Sequence, residues 1–182
     1  MTRHDDKTLL IGEPWTVSRT AVVAQPQSHL WEVISTPGYL ERCHPFCARN
    51  TVATWPGADA RDLIVYRSGL ELHRHITEWR EGHGYALDIG PKGRSNYQVR
   101  WQLGTVDEAR SAITISLTPY LPSSQTEEDF HAAYMRKMRR ANTTYLESVV
   151  AGIRHVAETG EPVRPDQFGA HPVYSAPEAL AS

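Results

Sequence analysis

The sequence predicts an α+β fold: a curved antiparallel sheet of about seven strands wrapped around one long C-terminal helix, with two short helices after the first strand. Three observations predict it. Residues 50–117 fall into short strand-like runs separated by turn residues. From Phe130 to Val156 the apolar residues recur at three- and four-residue steps. A first alternating run and a proline-marked helix start precede both.

Residues 1–13 are polar and without period, and are expected to form a flexible N-terminal arm ahead of a domain spanning 14–160. Trp15, Val17, Ala21 and Val23 then alternate with mostly polar residues, as a half-buried strand requires. Gln25-Pro26-Gln27-Ser28 ends this strand and opens a helix whose apolar face is Leu30, Trp31, Val33 and Ile34. Thr36-Pro37-Gly38 stops that helix, residues 39–43 add one or two turns, and Pro45 ends them. Strand-like runs follow at 50–55, 62–68, 70–79, 85–89, 97–103 and 112–117. Their separators, such as Pro56-Gly57, Ser68-Gly69 and Gly82-His83-Gly84, are too short for parallel crossovers and predict hairpins. Thr126 offers a capping hydroxyl, and Glu127-Glu128-Asp129 suits the positive end of the helix dipole. Gly160 and Pro162 close the long helix. The tail, 161–182, has four prolines and no period, and is expected to be extended over the surface or disordered.

Composition removes several function classes. Lys and Arg total 19 against 21 Asp and Glu, a net charge of −2, whereas phosphate-backbone binding needs concentrated positive charge; nucleic acid is not an expected partner. Arg136-Lys137-Met138-Arg139-Arg140 is basic, but it follows three acids on the same helix and reads as a solvated face. No apolar run approaches the ~18 residues of a membrane span. Met1-Thr2-Arg3-His4-Asp5-Asp6-Lys7 lacks a signal peptide's apolar core, and Cys43 and Cys47 make no disulfide framework. The expectation is a soluble, cytoplasmic monomer or homodimer. Phosphate-loop, dinucleotide-binding, Gly-x-Ser-x-Gly and His-Glu-x-x-His motifs are absent, so no cofactor is expected.

A curved sheet around one helix leaves a space between them, where a ligand fits. Strand alternation picks out candidate walls. Leu70, Leu72, Arg74 and Ile76 share one face, as do Leu63, Val65 and Arg67, and each row is apolar but for one arginine. Arg74 and Arg67 are therefore candidate electrophilic groups, because a guanidinium stays charged and holds its donors in a fixed fork. His44, between the short helices and the sheet, is a candidate acid/base or a turn-holding group. Tyr66, Tyr97, Trp101, Tyr134, Tyr145, His73 and His75 are the candidate ligand contacts. Cys43 and Cys47 with His73 and His75 form the one set with metal-ligand chemistry, but Pro45 interrupts the spacing and no second cysteine pair exists. Small buried hydrophobes are the plainer reading of the thiols, and no resident metal is expected.

Val17-Ser18-Arg19-Thr20-Ala21-Val22-Val23-Ala24-Gln25-Pro26-Gln27-Ser28-His29-Leu30-Trp31-Glu32-Val33-Ile34, the stretch Ile76-Thr77-Glu78-Trp79-Arg80-Glu81-Gly82 and the closing helix resemble the START/Bet v 1-like (SRPBCC) superfamily. This is the helix-grip fold, here in its polyketide cyclase/dehydrase-like branch, and the resemblance covers residues 15–158. It implies a hydrophobic cavity that holds a small apolar molecule, aromatic or polyketide-like, without a cofactor. In cyclase-like relatives a cavity arginine with a tyrosine or histidine polarises a carbonyl for cyclisation, dehydration or isomerisation. The superfamily also contains carriers and receptors, so a non-catalytic carrier or sensor is the alternative.

Overall fold

The computed structural model describes residues 7–181; the first six residues of the expected arm lie outside them. In chain order the elements are β1 (Val17–Val23), α1 (Gln27–Ser35), α2 (Leu40–Cys43), β2 (Cys47–Thr54), β3 (Arg61–Tyr66), β4 (Glu71–Arg80), β5 (Gly84–Gly90), β6 (Tyr97–Thr105) and β7 (Ser111–Pro119). The closing helix is α3 (Glu127–Ala133), a π-helical turn (Tyr134–Met138) and α4 (Arg139–Thr159). The strands form one antiparallel sheet in the order β1-β7-β6-β5-β4-β3-β2. Alternation drives the assembly: on β1, Val17, Ala21 and Val23 are buried while Ser18, Thr20 and Val22 are exposed. The inner faces of the sheet, α1, α2 and α4 share one apolar core.

The closing helix begins as its sequence predicts, with the Thr126 hydroxyl accepting the Asp129 backbone N–H, and it ends on Gly160 in the left-handed conformation. The π-turn has no signal in the sequence. It divides the helix between two partners. Phe130 and Tyr134, the latter opening the π-turn, pack on Trp15 and Leu10 in a second small core; after the turn, α4 covers the sheet. The remainder of the arm is not loose. Leu10 N–H donates to the Pro119 carbonyl (3.1 Å), Leu121 N–H donates to that of Thr8 (2.8 Å), and the Leu10 side chain is buried.

The expected face of β3 is corrected. Asp62, Ile64 and Tyr66 are its buried residues, and Leu63 and Val65 point the other way. The reason is hairpin register. Asp62 lies opposite Arg74 and Ile64 opposite Leu72, so even-numbered residues of both strands share the inner face. Arg67 falls beyond β3, in the turn, where its Nε donates to the Pro45 carbonyl at 3.3 Å.

One close approach fixes the short helices against α4. A Cβ on Gly152 would stand 2.1 Å from the Cys43 carbonyl oxygen and 3.3 Å from Pro45 Cδ. Gly152→Ala must push two backbones apart, and overpacking of this kind costs about 1–3 kcal/mol. A thermal-unfolding comparison is expected to show a lower midpoint, and an unchanged midpoint would contradict this packing.

Candidate functional site

Between the sheet and α4 lies a cavity of about 370 Å³, at the small end of the ~300–1,000 Å³ of ligand pockets. Its walls are mostly apolar. Ile64, Leu72, Leu87, Val99, Ile115 and Leu117 come from the sheet, and Leu146 and Val149 from α4. Among the described residues lining it there is no carboxylate; Arg74 and Lys137 are its formal cations. Polar groups enter this wall in two hydrogen-bonded chains and a few single contacts.

The first chain joins α2, β3 and α4. The Phe46 backbone N–H donates to His44 Nδ1 (3.3 Å), so the neutral ring carries its proton on Nε2. Nε2–H donates to the Tyr145 hydroxyl (2.9 Å), which shares a hydrogen bond with the Tyr66 hydroxyl (3.1 Å) in which either oxygen can donate. One hydrogen bond between two hydroxyls leaves one proton of the Tyr66–Tyr145 pair without an acceptor among the described residues. Burial, then the nearby Arg74 charge, pushes the His44 pKa down to about 3, so the ring is neutral near pH 7. Burial raises the Tyr66 and Tyr145 hydroxyls well above the ordinary tyrosine range, so both keep their protons.

The second chain starts at Arg74. Its Nη1 donates to Asp62 Oδ2 (2.9 Å) and its Nη2 to the Tyr39 hydroxyl (3.0 Å). Tyr39 in turn lies 2.6 Å from the Tyr85 hydroxyl, which donates to the Ile34 carbonyl at 3.4 Å. Arg74 and Asp62 are both buried, which makes this an internal ion pair. Arg74 therefore faces the cavity as a positive charge with part of its fork already engaged. Elsewhere in the wall, Asn142 Nδ2 donates to the Tyr97 hydroxyl (3.3 Å), and Trp101 Nε1 is buried with no hydrogen-bond partner among the described residues.

Of the predicted residues, Arg74, His44, Tyr66, Tyr97, Trp101 and Tyr145 line the cavity. Four do not, and each has a physical reason. Arg67 is in the β3–β4 turn. His73 and His75 alternate with Arg74 on β4 and so face outward, where His75 Nε2 meets Asp59 Oδ1 at 3.1 Å. Tyr134, at the first position of the π-turn, packs in the second small core, with its hydroxyl donating to the Trp15 carbonyl. The metal set is not gathered either. Cys43 and Cys47 belong to the core, where burial raises the Cys43 thiol and pushes Cys47 up to about 12. Among the described residues no three His, Cys, Asp or Glu side chains are grouped to hold a metal ion.

Sequence reasoning missed Asp62, Tyr39 and Tyr85 in the arginine chain and Asn142, His171 and Tyr174 in the wall. Asp62 was reachable: once Arg74 is placed inward, a short hairpin puts its partner inward too. Tyr174 had no signal, because the tail around it has no period. Its ring packs at a tilt against Tyr66 and Tyr145, with centroids 4.5 and 4.6 Å apart.

A long helix closing a curved seven-stranded sheet over an apolar cavity defines a ligand-binding helix-grip protein. The chain belongs to the polyketide cyclase / dehydrase and lipid transport family, whose profile matches residues 14–151. The fold is that of the START/Bet v 1-like superfamily. Solved structures agree at low identity. DynU16, a protein of the dynemicin biosynthetic locus, matches with a TM-score of 0.60 at 16% identity, over 83% of this chain and 50% of its own. The present chain thus spans half the length of that protein. Norcoclaurine synthase from Thalictrum flavum, solved as a point mutant with a transition-state analogue, gives a TM-score of 0.61 at 11% identity, over 83% and 95% of the two chains. Ara h 8.0201 gives 0.53 at 13% identity, over 78% and 96%. A sequence search of curated proteins finds no match. Among the described residues no helix is long and apolar enough to cross a membrane.

Proposed function

We propose that the protein binds a small aromatic or polyketide-like ketone in this cavity and promotes its cyclisation, dehydration or isomerisation, with Tyr66 as the donor to the reacting carbonyl. The observation that carries this reading is the chain from His44 through Tyr145 to Tyr66, which leaves one proton of the tyrosine pair free at an apolar wall, and the reading assigns it to Tyr66. The unpartnered Trp101 Nε1–H supplies a second donor for a ligand oxygen. Arg74 adds positive potential where a carbonyl oxygen gains charge, and the low dielectric of the cavity strengthens both effects.

For an intramolecular aldol closure the balance is simple. The ligand's enol carbon forms a bond to its own carbonyl carbon, whose oxygen takes the Tyr66 proton. The enol oxygen releases its proton back to the Tyr66 phenolate as it becomes a ketone. No external acid, base or redox partner is consumed. Elimination of water from the resulting alcohol completes a dehydration.

Tyr66→Phe retains the ring and its contact with Tyr174 but removes the donor. With a linear polyketone as substrate, turnover is expected to fall about 100-fold or more. Retention of a co-purifying ligand in native mass spectrometry is expected to persist. Equal turnover by the variant overturns the donor role. A carrier reading is favoured by one observation: His44 Nδ1 is occupied and its basicity suppressed, so it takes no proton near neutrality. Ligand retention with no turnover in wild-type protein selects it.

A further inference from the structure

The family match ends at residue 151, yet the chain beyond α4 is built into the cavity wall. Leaving Gly160, it runs back along the short helices: Val163 N–H donates to the Arg42 carbonyl (2.8 Å) and Asp166 N–H to that of Pro45 (3.2 Å). It then hooks on itself. His171 N–H donates to Ser175 Oγ (2.7 Å), and that hydroxyl donates to Asp166 Oδ1.

Two further bonds tie the hook across the cavity. The Val173 N–H occupies His171 Nδ1, so the ring donates from Nε2 to the Ala141 carbonyl of α4 (3.1 Å). On the other side, Ser68 N–H in the β3–β4 turn donates to the Tyr174 carbonyl (3.1 Å). His171 and Ser175 are each only 2% exposed, so this part of the extended tail is anchored in the structure. Tyr174 thereby caps the Tyr66–Tyr145 pair, and its hydroxyl has no hydrogen bond among the described residues. Leu70 and Val173, exposed by 36% and 47%, stand at the rim between turn and tail.

We propose that residues 163–175 are a strap completing the ligand site, and that Tyr174 is a specificity-determining contact that sets which ligands fit and how fast they exchange. This rests on the reading that the cavity is the ligand site. The strap is held to the sheet and α4 by single hydrogen bonds and ring contacts instead of a strand ladder, so it opens without unfolding the sheet. A ligand passes between the β3–β4 turn and the strap, and Tyr174 returns over it to keep water from the Tyr66 hydroxyl.

The test uses full-length protein and 1-anilinonaphthalene-8-sulfonate, an aromatic probe that fluoresces in apolar cavities, followed by stopped flow. Tyr174→Ala, and separately His171→Ala to release the hook, are expected to speed probe dissociation ten-fold or more, with the thermal transition retained. Wild-type exchange rates in both variants overturn the strap. Ala141→Trp, which fills the cavity from α4, separates the two readings. It is expected to abolish binding. Probe binding that survives it overturns the cavity reading and the strap together, whereas loss there with unchanged Tyr174→Ala and His171→Ala rates overturns the strap alone.

Discussion

Asp62→Ala is expected to destabilise the protein by about 3–5 kcal/mol, because it leaves the Arg74 guanidinium buried without its counter-charge. The side chains of Arg74 and Asp62 are only 4% and 2% exposed, so solvent does little to screen the loss. Tyr39 remains as a neutral acceptor for Nη2 and compensates only in part. Urea titration checks this as a shift in midpoint at unchanged slope. The double variant Asp62→Leu/Arg74→Met removes both charges and is expected to recover most of the stability, since an apolar pair of similar volume tolerates the site. Recovery without turnover separates the two duties of Arg74: it holds β3 to β4, and it supplies charge to the cavity. A small loss in Asp62→Ala contradicts the buried pair.

Acid is expected to unfold the protein through His44. Its folded pKa lies at about 3, held down by burial and then by Arg74, against an ordinary 6.5. Between those values the unfolded chain binds a proton that the folded chain refuses, so stability falls as pH drops from 6.5 towards 3. A depression of this size is worth roughly 4–5 kcal/mol at its limit. His44→Gln retains an amide able to accept from Phe46 N–H and donate to Tyr145, but it does not titrate. Stability measured from pH 7 to pH 4 is expected to decline less steeply in this variant. Equal slopes in the two proteins place the acid sensitivity elsewhere. His171, also lowered by burial, contributes in the same direction.

Much of the fold is legible in the sequence because period and punctuation are local properties. Alternation on β1, the Ser68-Gly69 turn, the Thr126 cap and the Gly160 stop act on neighbouring residues and appear in order along the chain. β3 is different. Leu63-Ile64-Val65-Tyr66 is apolar on both parities, so nothing local chooses its inner face. The choice comes from register with β4, where Arg74 and Leu72 already face inward. The same register turns Asp62 towards the core, against its own polarity, and the ion pair is what makes that tolerable.

The candidate site was legible by residue type and less so by arrangement. Arg74, His44, Tyr66, Tyr97, Trp101 and Tyr145 were identifiable because each interrupts or extends an apolar row. His73 and His75 carried the right chemistry on the wrong parity, and Tyr134 fell on the correct stripe until the π-turn divided it. By itself, then, the sequence determined seven strands, a closing helix and an inward arginine, through rules that act over a few residues. The tertiary structure alone decided that His44, Tyr145 and Tyr66 form one hydrogen-bonded chain and that Tyr174 caps it. Those residues stand up to 130 positions apart along the chain, from His44 to Tyr174. Only the packing of α2, β3, α4 and the tail around a single cavity brings their hydroxyls and rings within reach.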